Sequence, residues 1–120
     1  MREPARDKER LQHILDAIQT IEFSRKKYNS KAAEVDPIVY YGFVKHVEII
    51  GEAAYMLTKE FCAEHPETPW KDIIGMRHVL VHGYYTTSKS FIWATIQQDL
   101  PALRPQIEAY IVAEQVKRKS

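Results

Sequence analysis

Apolar residues recur at intervals of three and four along most of the chain, and alternating segments of the β type are absent. Leu11, Ile14, Leu15, Ile18 and Ile21 form one stripe, which predicts a first helix from about Ala5 to Tyr28. Asn29 to Val35 reads as a polar connector. Asp36-Pro37 then supplies an N-cap followed by proline at the first helical position. From there Val39, Phe43, Val47, Ile50, Ala54, Leu57 and Phe61 keep one spacing, predicting the longest helix of the chain. His65-Pro66-Glu67-Thr68-Pro69 breaks the pattern.

Thr68-Pro69 restarts it as a second cap-plus-proline signal, with Asp72 in the first turn, where the helix dipole favours an anion. Trp70, Ile73, Ile74, Leu80 and Val81 line this third helix, and Gly83 is a natural stop. A last helix carries Trp93, Ile96, Leu100, Leu103, Ile107 and Tyr110, and Pro101 should bend or interrupt it around Asp99-Leu100. Residues 114–120 are polar and expected to fray. Four helices with short connections predict an all-α, antiparallel four-helix bundle spanning 1–120 as a single domain.

Composition narrows the picture modestly. The chain has 120 residues, enough for its own core, and a net charge of +1. No overall basic field marks a nucleic-acid binder, so any RNA contact must come from a local patch. Cys62 is alone, which leaves no internal disulfide and too few thiols for a cysteine-based zinc site. The charged stretch from Met1 to Arg10 lacks the apolar segment of a signal peptide. No run approaches the roughly 18 apolar residues of a membrane span. The expectation is a cytoplasmic protein without a membrane partner.

The chemistry concentrates in Arg77-His78-Val79-Leu80-Val81-His82-Gly83-Tyr84. Arg77 falls on a stripe otherwise apolar, where a charge needs a partner or a ligand. Glu48 and Glu52 of the long helix are the candidate partners. A guanidinium can hold a phosphate through its fork of donors. His82 sits at the end of the helix, where the dipole favours a cation, and imidazole moves protons near neutral pH. Five residues of regular helix separate Arg77 and His82 by about 140°. They converge only if the helix unwinds at His82 or if a second subunit completes the site. His78 and His82 are four apart and would share a metal face, but two ligands do not make a site and no third is evident. His13, His46 and His65 read as surface or packing residues.

Arg77-x4-His82-x-Tyr84 resembles the R-x4-6-H motif of the HEPN superfamily, in the R-x4-H-x-Y form of HepT-like (DUF86) proteins. Three further blocks resemble the same family: Glu48-Ile49-Ile50-Gly51-Glu52-Ala53-Ala54, Pro69-Trp70-Lys71-Asp72-Ile73-Ile74-Gly75-Met76-Arg77, and Trp93-x-x-Ile96-x-x-Asp99-Leu100-Pro101. The chain departs from the family pattern at His78, where asparagine is usual, and at Ser88, where an aspartate is common.

The resemblance implies a HEPN-like helical homodimer acting as a toxin, a metal-independent endoribonuclease without cofactor. The substrate would be tRNA or mRNA, cut by attack of an RNA 2′-OH. The implied partner is an MntA-type nucleotidyltransferase antitoxin that silences the toxin by attaching AMP to Tyr84. Arg77, His82 and Tyr84 would form the catalytic set. Glu52 would orient Arg77, and His78 would serve as a second acid/base. The competing expectation is a non-catalytic HEPN nucleotide-binding or regulatory subunit of a nucleotidyltransferase pair.

Overall fold

The computed structural model describes residues 6–83 and 88–119, and among these every regular element is helical. Helix α1 is Asp7–Lys27, with Asp7 and Glu9 in its first turn and Arg25, Lys26 and Lys27 in its last, matching the helix dipole at both ends. Its stripe of Leu11, Ile14, Ile18 and Ile21 is buried. The stretch expected to be a polar connector contains a short helix, α2 (Ser30–Val35). Asn29 caps it by accepting from the Ala32 N–H. Helix α3 (Pro37–Tyr55) starts where the sequence placed it, with the Asp36 carboxylate accepting from the Ile38 N–H.

The long second helix of the sequence reading is two helices. α3 ends at Tyr55, and α4 (Lys59–Glu64) follows a turn. At 19 residues α3 is shorter than α1, which has 21. The cause is Thr58. Its hydroxyl accepts from the Phe61 N–H at 3.1 Å, which starts α4. The same hydroxyl and the Thr58 N–H donate to the two oxygens of the buried Asp7 carboxylate, at 2.7 and 2.9 Å. Apolar spacing runs through the break because Leu57 and Phe61 both return to the core. The start of α1 thus meets the chain just beyond α3, while Ser24 and Tyr28 at its other end line a groove with Ile38 and Val39. α1 and α3 are therefore antiparallel.

Thr68 does not cap the next helix either. Pro69 occupies the cap position of α5 (Trp70–His82), without a side-chain bond. Thr68 is buried and its hydroxyl is shared with Gln106 and Tyr110 of the last helix. Around it Phe61, His65, Trp70 and Tyr110 pack ring against ring, with centroids 4.3–6.1 Å apart. The Trp70 indole N–H donates to the His65 carbonyl, and the Tyr110 hydroxyl donates to Glu67. Burial raises the Tyr110 phenol above its ordinary value, and the bond to Glu67 adds to this. Glu67 is held low, first by a backbone N–H and then by Tyr110.

Beyond Gly83 come α6 (Lys89–Ala94), a π-turn (Thr95–Asp99) and α7 (Leu100–Lys119). The interruption falls just before Pro101, as its missing N–H and bulky ring require. The Leu100 N–H reaches back to the Thr95 carbonyl, an i→i+5 bond. α7 is helical to Lys119. The described residues thus form seven α-helical segments rather than four unbroken rods. α3 packs most extensively against α1 on one side and α5 on the other. No helix among the described residues is long and apolar enough to cross a membrane.

Candidate active site

The approach of α3 to α5 is set by Gly51. A Cβ there would lie 2.5 Å from the Arg77 Cβ and 3.0 Å from the Ile73 carbonyl. Hydrogen is the only side chain that fits, and Arg77 sits directly over it. Arg77 is half-buried and turned toward α3. Its Nε donates to the Glu52 carboxylate, and its guanidinium lies 5.3 Å from the Tyr55 ring centroid. Of the two carboxylates the sequence left open, Glu52 is the partner. Glu48 pairs with Lys45 at 3.3 Å. An ion pair this exposed contributes at most about 1 kcal/mol to stability. Its main effect is orientation, because one donor of the fork is fixed and others remain for an anion.

His82 is the last residue of α5 and is exposed. The Gly83 N–H donates to the Val79 carbonyl at 2.8 Å, so the helix is regular through His82. Gly83 ends α5 with φ −129°, outside the left-handed region. Unwinding at His82 therefore does not bring it to Arg77. His78 and His82 instead lie side by side, ring centroids 4.7 Å apart, on the outer face of α5. Val79 and Val81 beside them are 45% and 37% exposed. Among the described residues no three His, Cys, Asp or Glu side chains cluster in a way that could hold a metal ion. Tyr84, together with Tyr85, lies outside the described residues. Ser88, where the family commonly has aspartate, caps α6 by accepting from the Phe91 N–H at 3.1 Å. Aspartate is equally suited to that cap.

Arg77 opens into a groove of about 510 Å³ between α1, α3 and α5. Ile49, Ala53 and Met56 contribute apolar surface, and Arg10, His13, Lys45, Glu48, Glu52 and Val81 complete the lining. Sequence reading passed over Arg10. The signal was available: Arg10, Ile14, Ala17 and Ile21 share one helical stripe, so Arg10 is a charge on an apolar face just as Arg77 is.

A carboxylate-held arginine at the mouth of a groove, with two exposed histidines on the outer face of the same helix, is a set of side chains able to hold an anion. Residues 14–110 match the sequence model of the family described as Ribonuclease HepT-like, and the chain belongs to that family. It is 36% identical over 104 residues to "Putative RNase TTE0752" of Caldanaerobacter subterraneus subsp. tengcongensis, a match covering 87% of this chain and 93% of that protein. It is 31% identical over 101 residues to "Probable ribonuclease HepT" of Thermococcus cleftensis, covering 84% and 92%. No solved structure is significantly similar to the chain.

Proposed function

We propose that this chain is a metal-independent endoribonuclease, the toxin of a HepT/MntA-type pair. The observation that carries the reading is Arg77, fixed by Glu52 and Tyr55 at the mouth of a groove in a chain of the HepT-like family. In the reaction, an RNA 2′-oxygen attacks the adjacent phosphorus as its proton passes to a base. The P–O5′ bond breaks and the leaving oxygen takes a proton from an acid. The products are a 2′,3′-cyclic phosphate and a 5′-OH. His82 performs one proton transfer, and His78, whose ring lies against it, is placed for the other. Arg77 neutralises charge on the non-bridging oxygens. Tyr84 positions the RNA backbone.

Arg77 and His82 face apart within one chain, so the site is shared in a two-fold homodimer. Arg77 works with His82 of the partner subunit, and exposed Val79 and Val81 help to cover the join. A nucleotidyltransferase antitoxin attaches AMP to Tyr84. The adduct's charge and bulk then exclude the RNA phosphate.

Purified protein incubated with total tRNA in EDTA should yield cyclic-phosphate ends. His82→Ala and Arg77→Ala should each abolish cleavage with unchanged circular dichroism. Cleavage lost in EDTA and restored by zinc or magnesium would replace this reading with metal chemistry at His78 and His82. The same divergence of Arg77 and His82 favours a second reading, a nucleotide-binding subunit without catalysis. That subunit would bind ATP or AMP and leave tRNA intact.

A further inference from the structure

Arg10 carries the buried side-chain nitrogen that, among the described residues, has no hydrogen-bond partner: its Nε. Buried polar groups are almost always satisfied, so Arg10, which lines the groove, is short of partners within the chain. The groove's charges agree. Its carboxylates, Glu48 and Glu52, are taken by Lys45 and Arg77. Arg10 is left as an uncompensated cation, with His13 three residues along on the same face of α1. A chain of net charge +1 thus concentrates positive charge beside Arg77.

The register of α1 against α3 places these groups at one height. Asp7 meets Thr58, and the antiparallel run brings Arg10 level with the turn of α3 that holds Glu52 and Tyr55. Arg77 contacts that same turn from α5. The two arginines stand on opposite walls of one groove, with the apolar surface of Ile49 and Ala53 between them.

We propose that Arg10, with His13, forms a second phosphate subsite that seats the RNA backbone phosphate next to the one held at Arg77. The inference rests on the ribonuclease reading for its ligand and on the groove for its geometry. Arg10 is a positioning residue here: it holds the strand in register and touches no reacting atom. A point charge at Arg10 would keep part of the attraction, whereas the fork of arginine also gives direction.

The test uses the full chain and a 2′-O-methyl RNA oligonucleotide, which binds without being cleaved, alongside a cleavable tRNA. Arg10→Ala should weaken oligonucleotide binding by about tenfold and reduce the salt-dependence slope by about 1. KM for tRNA should rise while kcat changes little. Arg10→Lys should recover part of the affinity. The melting temperature should hold or rise, because Nε loses no bond. Unchanged affinity and salt slope in Arg10→Ala, in a chain that cleaves tRNA, would overturn the subsite alone. Arg10-dependent binding by a chain that never cleaves RNA would support the subsite and overturn the ribonuclease reading. Absence of oligonucleotide binding by the unaltered chain would overturn the subsite.

Discussion

Two regions of this molecule use polar side chains in opposite ways. At the corner formed by α4, the 65–69 turn and α7, polar groups are spent inward. The Thr68 hydroxyl has two partners, the Trp70 N–H has one, and Tyr110 bonds to both Thr68 and Glu67. At the groove between α1, α3 and α5, polar groups are held back. The Arg10 Nε has no partner and Arg77 uses its Nε on Glu52, while outside the groove His78 and His82 lie exposed on the outer face of α5. The corner closes the chain on itself, and the groove leaves capacity for an anion. The corner is built from Thr68, Trp70 and Tyr110 and the groove from arginines and carboxylates, and the two also differ in how far their donors are satisfied within the chain.

The largest contrast should come from paired substitutions. His82→Ala should lower cleavage by about 10²–10⁴-fold, the usual worth of a proton-transfer group, and leave the urea midpoint unmoved. Phe61→Ala should do the reverse. It removes a ring 4% exposed that touches His65, Trp70 and Tyr110, and should cost about 3–5 kcal/mol of stability. Cleavage per folded molecule should stay near that of the unaltered chain. A Phe61→Ala protein that folds fully but has lost its activity would blur the division between the two regions.

A smaller effect should join them. Gly51→Ala forces a methyl against the Arg77 Cβ and the Ile73 carbonyl, and α5 must shift. Overpacking of this kind costs about 1–3 kcal/mol. Because the displaced residue is Arg77, cleavage should fall beyond what lost stability explains. Activity measured well below the melting transition separates the two components.

The smallest effect is a pH signature confined to the corner. Glu67 is held below its ordinary value of 4.5, so the folded chain binds fewer protons there than the unfolded one. Its stabilisation is present above about pH 4.5 and is lost as pH falls through the lowered value. Tyr110 is raised above 10.0, so its contribution is complete below that pH and lost as pH rises past it. Glu67→Gln should flatten the acid limb of a melting-temperature profile without altering cleavage at neutral pH. A cleavage optimum that moves with Glu67→Gln would place the corner within the active machinery.

Local signals were read well from the sequence and distant ones poorly. The α3 start at Asp36-Pro37 depends on a bond two residues long, and the interruption before Pro101 depends on the missing N–H of that residue. Arg77 drew attention as a charge on an apolar stripe, and Glu52 was among its candidate partners. The break at Thr58 was illegible because its partner, Asp7, lies 51 residues away. Thr68 looked like a cap because threonine before proline usually is one. Its hydroxyl goes instead to Tyr110, 42 residues on. The groove was missed for a related reason. Arg10 and Arg77 share it only because α1 and α5 flank α3, and no spacing along the chain encodes that.

The π-turn at Thr95–Asp99 acts as an angular gear. Each residue of regular helix advances the chain by about 100°, so accommodating one extra residue re-indexes everything beyond it by that amount. Upstream, Trp93 meets Phe43 edge-on, 5.3 Å between centroids. Downstream, Tyr110 reaches Thr68 and Glu67. These are two partners on different elements, served by one nearly continuous rod. Deleting a residue between 95 and 99 would straighten the rod and turn Tyr110 away from its hydrogen bonds while Trp93 stayed seated. A change of length in this segment would therefore disturb the fold more than a change of residue would.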